Sequence, residues 1–562
     1  MAVAARLSTA LAAYRTVFGN PDLRRVQVAY AASITAEWAA FVALAVYAYG
    51  VGGSRHVALA GVIRMLPAAL STPFAALAAD RFRRERVLVL LSAASTAALA
   101  ASALAFFASA GEWPIYALAG GLAVLSTLSG PTLTALLPSL ARTPEELVAS
   151  NGTASTTESL GTVVGAVGAG VVVALADPGT VFALGAGAYA LATLTVARVR
   201  TAGWQAPAAA VRAREIVHEL LAGIDVVARD GHPRLVVALF GAQTVVRGAL
   251  NVLIAVLAFD VLGSGESWVG FLTAALGAGG LLGAMWALSL TGEHLAAPFG
   301  VGLLLWGVPI ALLAAWPHEL TALALLALVG VGNSLEDVAG ITLLQRLVRD
   351  EVLARVLGVL WGLSMAGAAV GFALAPPLVD ALGPRAALVA VGLFLPVLVA
   401  LAWRPLAAVD RTAKAPLAEL ALLADVPLFS SLSLAAKERL ARGLVRVDVL
   451  PGDEAITEGD HGDRFYIVAE GEAEVTEAGR FRCIHGPGDF FGEIALLRDA
   501  PRSATVTART PLRLCALDRE RFLDALSWHA AGREAGDAIA DERLARGKDD
   551  GPTAPPAGVG GS

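Results

Sequence analysis

Residues 75–88 read AALAADRFRRERVL, an apolar run that ends in an aspartate and four arginines before a second apolar run begins. Long apolar stretches of this kind, with most charges confined to the joins, recur through residues 27–403. A helix needs about 20 mainly apolar residues to cross the hydrocarbon of a bilayer. The pattern therefore predicts membrane-spanning helices joined by short charged loops.

Stretches of sufficient length predict about twelve transmembrane helices, in two sets of six around a middle loop at about 199–234. The predicted spans are 27–49, 56–78, 86–108, 114–137, 146–175, 178–198, 235–261, 266–290, 297–316, 318–343, 356–379 and 384–403. Composition agrees, since only 16% of the 562 residues are charged, against about 25% in soluble proteins. The predicted fold class is therefore a polytopic α-helical membrane protein.

Arginines fall mainly in the loops after the second, fourth, sixth and tenth predicted spans, whereas loops on the other side carry only Arg55 and Arg385. Short cytoplasmic loops are enriched in lysine and arginine. We therefore expect both termini in the cytoplasm, with residues 1–26 as an N-terminal cytoplasmic segment and no cleavable signal peptide. The expected location is the plasma membrane.

Several motifs support a two-half architecture. TALLPSLARTPEELVASNG after the fourth span is similar to TLLQRLVRDEVLARVLG after the tenth, and GTVVGAVGAG at 161–170 is rich in glycine. With AALAADRFRRERVL, these features resemble the major facilitator superfamily, whose architecture is built from parallel six-helix repeats. The resemblance covers residues 27–403, is greatest to bacterial drug and siderophore exporters, and implies a bacterial secondary transporter. It also implies a cytoplasmic gate formed by Asp80, Arg81, Arg83 and Arg84.

Polar and charged residues inside the predicted spans mark a candidate transport cavity. A charge near the bilayer centre costs about 3 kcal/mol or more, so it is usually paired or lines a cavity. Glu37 and Arg64, in the first and second spans, could reach the same depth and pair. The alternative is that some of these residues form structural ion pairs or lie near the membrane surface. The candidate cavity residues are Glu37, Arg64, Glu158, Arg247, Asn251, Asn333, Glu336 and Asp337.

From residue 404 the composition becomes that of a soluble protein. Residues 404–417, with two prolines, predict a linker. From residue 446 the hydrophobic period is two, and short strands separated by glycine turns predict a β-jelly-roll. We place this domain at 418–545 and a disordered tail at 546–562.

One stretch of this domain, FFGEIALLRDAPRSATV at 490–506, is well suited to hold a phosphate and a sugar. A phosphate is bound by backbone N–H groups at a helix start and by a fixed cation, and a ribose hydroxyl needs a carboxylate acceptor. The stretch resembles the phosphate-binding cassette of cyclic-nucleotide-binding domains in bacterial cyclic AMP receptor proteins, kinase regulatory subunits and gated channels. The resemblance implies that Glu493 accepts the ribose 2′-hydroxyl and that Arg502 pairs with the cyclic phosphate.

The same resemblance implies the remaining contacts. Trp528 is the candidate lid over the base. Cyclic AMP is the favoured ligand and cyclic GMP the alternative, because a residue of the type of Ser503 follows the arginine in binders of both. Since Glu493 and Arg502 are both present, a binding domain is favoured over one that has lost its ligand. The backbone amides expected to line the phosphate are those of Gly492, Ile494, Ala495 and Ser503.

Three functional hypotheses remain open at this point. The first is a secondary active transporter, an exporter or antiporter of a small-molecule cargo, regulated by cyclic nucleotide. The second is a membrane-anchored receptor or lipid-moving protein without solute transport, and the third has the nucleotide itself as cargo. The sequence contains no Walker motif and no metal-ligating or catalytic constellation, so we expect neither an enzyme nor a cofactor or metal. The net charge of −6 gives no reason to expect a nucleic acid partner, and the oligomeric state stays open.

Overall fold

The computed structural model describes residues 17–81, 83–141, 144–199, 223–225, 227–287, 294–348, 350–412, 417–429, 432 and 434–527. The chain divides into two compact units, Met1–Lys414 and Ala415–Ser562. Long helices make up the first unit, and two β-sheets form the centre of the second.

The described part of the first half of the membrane unit contains five helices. They are α1 (Pro21–Arg81), α2 (Arg84–Phe107), α3 (Glu112–Leu140), α4 (Pro144–Leu175) and α5 (Pro178–Val196). α1 bends at Gly52 and Gly53, where the backbone leaves the helical conformation and φ of Gly53 is +62°. Glycine adopts such an angle without steric cost, so the bend divides α1 into two legs that correspond to the first two predicted spans.

Among the described residues, the second half contains six further helices. They are α6 (Gly231–Val256), which continues into one π-helical turn (Leu257–Val261), α7 (Glu266–Ala287), α8 (Ala296–Leu313), α9 (Glu319–Leu347), α10 (Asp350–Leu382) and α11 (Pro384–Thr412). In the described part of the chain, 11 helices are long and apolar enough to cross a membrane. Because α1 contributes two legs, each of the twelve predicted spans has a counterpart.

Glycines allow these helices to pack at very short range. A Cβ on Gly279 of α7 would overlap the backbone of Ala327 on α9. Across the two halves, Gly170 of α4 lies against Gly270 of α7, where a Cβ on either residue would again meet main-chain atoms. Close approach through small residues is how helices associate in a bilayer, where the hydrophobic effect does not drive them together.

The predicted linker at 404–417 is wrong in its first part, because α11 continues to Thr412. Pro405 lies inside the helix, although a proline there removes one backbone hydrogen bond. Tertiary contacts stabilise the extension, since the carboxylate of Asp410 accepts hydrogen bonds from two backbone N–H groups at the start of α8, at 3.0 and 2.9 Å. The helix end is therefore held by a distant part of the chain.

The second unit begins with helices and continues with eight strands. Its elements are α12 (Leu417–Asp425), a short 3₁₀ turn (Pro427–Phe429), α13 (Leu434–Gly443), β1 (Val445–Val449), β2 (Glu454–Ile456), β3 (Arg464–Glu470), β4 (Ala473–Glu477), β5 (Arg480–His485), β6 (Phe490–Phe491), α14 (Glu493–Arg498), β7 (Thr505–Ala508), β8 (Leu512–Asp518) and α15 (Arg519–Ser527). Two antiparallel sheets result, in the strand orders β1-β8-β3-β6 and β2-β7-β4-β5. The predicted jelly-roll-like arrangement is confirmed.

β3 shows how the period of two builds this unit, because successive side chains of a strand point to opposite faces. Phe465 and Ile467 pack into the cluster formed with the flanking helices, where the Phe465 ring stacks on Phe522 with centroids 4.8 Å apart. Tyr466 and Val468 point the other way, into the cluster between the two sheets. One strand therefore serves both hydrophobic cores and is held rigidly between them.

Candidate functional sites

The turn between β6 and α14 positions the predicted phosphate-binding cassette. β6 pairs antiparallel with β3, Gly492 follows with φ +89°, and α14 begins at Glu493. A Cβ on Gly492 would lie 2.6 Å from Nη1 of Arg502 and 3.0 Å from the carbonyl oxygen of Arg464. Position 492 therefore needs glycine for two reasons, its left-handed backbone and the close approach of the arginine.

Arg502 is the buried cation of this site, with 4% of its surface exposed. Its Nη1 donates to the carbonyl oxygen of Gly492 at 3.0 Å, and its Nη2 donates to that of Arg464 at 2.8 Å and lies 3.4 Å from a carboxylate oxygen of Asp463. Burial lowers the pKa of Arg502, while Tyr466 and Asp463 nearby oppose the shift, and arginine remains charged. A guanidinium has five N–H donors, so it can also bind an anion.

The backbone around Arg502 is fixed as well. Its N–H donates to the carbonyl oxygen of Asp460 at 2.8 Å, and its own carbonyl oxygen accepts from the N–H of Gly459 at 2.9 Å. A Cβ on Gly462 would lie 2.6 Å from the Cβ of Ala495, so this loop packs directly on α14. The loop at 459–463 therefore holds the arginine and the helix in one arrangement.

Glu493 is the buried carboxylate of the cassette, with 1% of its surface exposed, at the first position of α14. It interacts electrostatically with Arg502, so the structure brings together the two residues on which the ligand prediction rests. Ile494 is half-buried, Ala495 is buried and Ser503 is exposed. Trp528, the predicted lid, lies outside the described residues. Asp463 and Tyr466 were not predicted as site residues. They lie in a loop and a strand that are distant in sequence from the cassette, so no local pattern linked them to it.

In the first half of the membrane unit, Glu37 and Arg64 lie on the two legs of α1 and form an ion pair. Arg64 Nη2 is 3.2 Å from Glu37 Oε1, and the two side chains are 13% and 23% exposed. The Arg64 Cζ also lies 4.8 Å from the ring centroid of Phe41, a cation–π arrangement. Glu158 on α4 interacts electrostatically with Glu37, so these three predicted residues are neighbours. Sequence reasoning missed the buried Tyr189, which interacts with both members of the pair.

In the second half, side chains from α8 and α9 surround Arg247 of α6. Its Nη2 donates to Asn333 Oδ1 at 2.8 Å, and Asn333 Nδ2 donates to Asp337 Oδ2 at 3.0 Å. The Arg247 Cζ also lies 5.8 Å from the ring centroid of Trp306 on α8. Asn251, one turn beyond Arg247, is half-buried and forms no side-chain hydrogen bond in the described part of the chain.

Glu336, beside Asp337 on α9, is the one predicted cavity residue that is fully buried. Neither of its carboxylate oxygens has a hydrogen-bond partner among the described residues. The buried side-chain polar atoms of Gln243 on α6 and Trp306 on α8 also have no hydrogen-bond partner among the described residues. Neither residue was predicted from the sequence. Both are uncharged members of long apolar runs, so they gave no signal.

The predicted cytoplasmic gate is only partly described, because the side chains of Asp80 and Arg81 lie outside the described part of the structure. Arg83 Nε is 2.6 Å from Glu85 Oε1 at the start of α2, and Arg84 is half-buried beside it. The described residues therefore contain a local ion pair at the start of α2, and the gate stays a prediction.

The two halves also meet at the end of the unit that is away from the arginine-rich loops. Arg55, just beyond the bend in α1, donates to Asp380 at the end of α10 through Nε at 3.1 Å and Nη2 at 2.8 Å. On the same side, a Cβ on Gly170 would lie 2.7 Å from the carbonyl oxygen of Ser267 on α7. The halves are therefore in tight contact at this end.

Two family models match the chain. The Major Facilitator Superfamily model matches residues 27–293, and the Cyclic nucleotide-binding domain model matches residues 446–529. The chain carries both domains. The predicted fusion and its fold class are confirmed, and the protein is a multi-pass membrane protein by its helices and its first domain. Neither family is catalytic.

Curated relatives match only the second domain. The cAMP-dependent protein kinase regulatory subunit of Yarrowia lipolytica is 46% identical over 102 residues, which cover 18% of this chain and 27% of the relative. The same subunit of Pyricularia oryzae is 40% identical over 102 residues, with 18% and 26% covered. The chain thus spans about a quarter of the length of these relatives. A co-crystal structure of the regulatory domain of Toxoplasma gondii PKA with cAMP aligns at 24% identity over 24% of this chain and 52% of that one, with a TM-score of 0.22, too low to support a conclusion.

Proposed function

We propose that the protein is a secondary active transporter whose activity is regulated by a cyclic nucleotide bound to its C-terminal domain. The observation that carries this proposal is the buried pair of Glu493 and Arg502, on a chain that also contains a Major Facilitator Superfamily domain. A buried carboxylate and a buried guanidinium that interact electrostatically within one cassette are suited to a ligand with both a hydroxyl and a phosphate.

In this proposal Arg502 binds the equatorial oxygens of the cyclic phosphate, and Glu493 accepts the ribose 2′-hydroxyl. Both side chains are already fixed before binding, so little side-chain entropy is lost. The similarity to cAMP-dependent protein kinase regulatory subunits supports a cyclic nucleotide as the ligand; cyclic AMP is our proposed ligand, with cyclic GMP as the alternative. Backbone amides complete the phosphate site at Gly492, Ile494, Ala495 and Ser503.

The transport part of the proposal rests on polar groups in both halves of the membrane unit. The Glu37–Arg64 pair lies in the first half and the Arg247–Asn333–Asp337 chain in the second. Intramembrane groups of this kind mark substrate or ion pathways by default. We infer a small-molecule cargo moved by alternating access and powered by an ion gradient. The chain would lie in a bacterial plasma membrane with both termini in the cytoplasm.

Calorimetry on the purified full-length chain tests the regulatory ligand. Arg502→Ala removes a charged donor from the phosphate and should weaken cyclic AMP binding by about 3 kcal/mol, or about a hundredfold. Arg509→Ala is the matched control, because Arg509 belongs to an exposed pair with Glu472 and should leave affinity unchanged. Equal affinity in wild type and Arg502→Ala would remove the ligand assignment.

Flux measurements in proteoliposomes test the transport part. A panel of candidate solutes, with and without cyclic AMP, should reveal one whose movement depends on an imposed ion gradient and changes with the nucleotide. Cyclic AMP binding without any solute flux would favour a membrane-anchored receptor or a lipid-moving protein. Flux of cyclic AMP itself would make the nucleotide the cargo.

A further inference from the structure

The last helix of the membrane unit, α11, is packed tightly against α8. A Cβ on Gly307 of α8 would overlap the carbonyl oxygen of Gly392 on α11, and a Cβ on Gly300 would lie 3.1 Å from the ring of Trp403. Packed interiors of this kind transmit strain, because they contain little free space into which a neighbour can shift. We therefore expect α8 and α11 to move as one body.

Asp410 joins the ends of the same two helices. Its Oδ1 accepts hydrogen bonds from the backbone N–H groups of Leu295 at 3.0 Å and of Ala296 at 2.9 Å. The first N–H groups of a helix have no partner within the helix, and a carboxylate near them is also favoured by the helix dipole. The start of α8 is thus capped by a side chain that α11 supplies.

α11 is also the helix to which the C-terminal domain is attached. Residues 413–416, one of them a proline, separate the end of α11 at Thr412 from the start of α12 at Leu417. A link of four residues has little slack. Within the domain, Leu423 of α12 and Leu496 of the cassette helix α14 belong to one hydrophobic core. A rearrangement of the cassette on nucleotide binding would therefore reach α12 through this core.

On its other side, α8 contacts polar groups of the second half. A Cβ on Gly302 would lie 2.7 Å from the backbone nitrogen of Glu336 on α9. One turn further along α8, the Trp306 ring centroid lies 5.8 Å from the Arg247 Cζ of α6. A displacement of α8 would therefore change the surroundings of these side chains.

Gln243 of α6 belongs to the same level of the unit. Contacts on either side of it, between Phe240 and Gly340 of α9 and from Arg247 to α9, align the two antiparallel helices. Gln243 therefore lies level with Glu336. The groups that α8 contacts are thus part of a polar region that extends across α6 and α9.

We propose that the state of the nucleotide site reaches the transport unit through Asp410, which couples α11 to α8. Coupling between distant sites can be carried by rigid helices and packed side chains. α11 packs mainly on α8 and α6, which both belong to the second half, so a displacement of α11 would move the second half against the first. Asp410 is a positioning residue in this proposal, since it acts through α8. The inference rests on the proposed regulation by cyclic nucleotide and assigns its route.

Thiol labelling of the full-length protein tests this route. Ser267→Cys places a thiol at the contact with Gly170 of the first half, Cys483→Ser removes the exposed native thiol, and Cys515 is buried. In this background cyclic AMP should change the labelling rate about fivefold or more. Asp410→Ala should abolish the change. Asp410→Asn should restore it, because the amide oxygen can accept the same two hydrogen bonds.

Asp230→Ala is the matched control. The Asp230 side chain accepts a hydrogen bond from the N–H of His232 at 3.0 Å and caps α6, so this variant loses a capping carboxylate that α11 does not supply, and it should keep the response. A response that survives in Asp410→Ala, or that is lost in Asp410→Asn or Asp230→Ala, would overturn the route and leave regulation by cyclic nucleotide intact. If cyclic AMP binds in calorimetry but does not change the labelling rate of the parent, the proposed regulation itself fails and the route fails with it.

Discussion

The hydroxyl of Tyr49 donates a hydrogen bond to the carboxylate of Asp260, and the Tyr49 ring is stacked on Phe259 with centroids 4.3 Å apart. Tyr49 ends the first leg of α1, and Asp260 lies in the π-helical turn that follows α6. The contact therefore joins the two six-helix halves, at the same end as the pair of Arg55 and Asp380. π-Helical turns are rare and are often found at functional positions.

Removing the Tyr49 hydroxyl should loosen this end of the unit. Tyr49→Phe keeps the ring stack and removes only the hydrogen bond, which is worth about 1 kcal/mol or somewhat more with a charged acceptor. A cysteine introduced as Ser267→Cys lies at the contact between Gly170 and α7 and can report on the opening of this end. We expect its thiol to be labelled faster when Tyr49→Phe is added than when Tyr49 is present. The matched control is Ser264→Ala, which removes a 2.7 Å bond to Glu319 within the second half alone and should not change the rate. Equal labelling with and without the Tyr49 hydroxyl would show that the contact does not hold the halves together.

Breaking the pair of Glu37 and Arg64 should destabilise the membrane unit more than breaking an exposed pair. Glu37→Gln leaves a largely buried guanidinium without its partner, at a cost of about 3 kcal/mol. Combining Glu37→Arg with Arg64→Glu should restore part of the loss. Asp380→Asn is the control, because its pair with Arg55 has side chains 46% and 74% exposed and should cost less than about 1 kcal/mol. Thermal unfolding in detergent measures all three variants against wild type, and equal losses for Glu37→Gln and Asp380→Asn would contradict the buried-pair interpretation.

Neutralising Asp463 should strengthen cyclic AMP binding. Its carboxylate lies 3.4 Å from Arg502 Nη2 with 70% of the side chain exposed, so it both competes for the guanidinium and repels an incoming phosphate. Exposed charge pairs are worth about 1 kcal/mol or less, and we therefore expect a gain of less than about tenfold for Asp463→Asn in calorimetry. Asp518→Asn removes a carboxylate that pairs with Arg464 instead and should leave affinity unchanged. Weaker binding by Asp463→Asn would show that the carboxylate supports the site.

Holding the two halves together should change the affinity for cyclic AMP if the domains are coupled. Tyr49→Cys with Asp260→Cys, joined by a bifunctional thiol reagent, fixes the closed end, and Cys483→Ser removes the exposed native thiol. Coupling between sites is reciprocal and typically about 1–3 kcal/mol, so the dissociation constant should shift by about 5- to 150-fold. The same reagent on the Tyr49→Cys variant alone is the control. Identical affinities would mean that the C-terminal domain is a tether or a localisation device, and regulation of transport would be ruled out.

The sequence was sufficient for features that depend on local pattern. Runs of apolar residues predicted each described helix that is long and apolar enough to span a bilayer, because length and hydropathy decide whether a segment can do so. The period of two predicted the sheets, and β3 shows why, since Phe465 and Tyr466 enter different cores. The short spacing from Glu493 to Arg502 made the cassette visible, because both residues lie within one stretch.

Features that depend on contacts between distant segments could not be predicted. Two prolines indicated a linker, but the carboxylate of Asp410 accepts hydrogen bonds at the start of α8 and holds α11 in place. Arg247 and Asn333 were both predicted as cavity residues, but only helix packing shows that Arg247 on α6 donates a hydrogen bond to Asn333 on α9. Gln243 is important only because helix packing places it level with Glu336. The relative depth and register of helices that are not consecutive in sequence are set by their packing. The hydrophobic periodicity of the sequence does not reveal how these helices pack.

The carbonyl oxygens that hold Arg502 have a consequence for how quickly the C-terminal domain can respond. Two hydrogen bonds to the carbonyl oxygens of Gly492 and Arg464 fix the guanidinium, so in the proposed site a nucleotide would meet its main anchor already in position. Asp463 would compete with the nucleotide for the same cation, and we expect this competition to shorten the residence time of a bound nucleotide. With fast association and fast dissociation, the occupancy of the proposed site would follow changes in nucleotide concentration, whereas slow dissociation would keep the nucleotide bound.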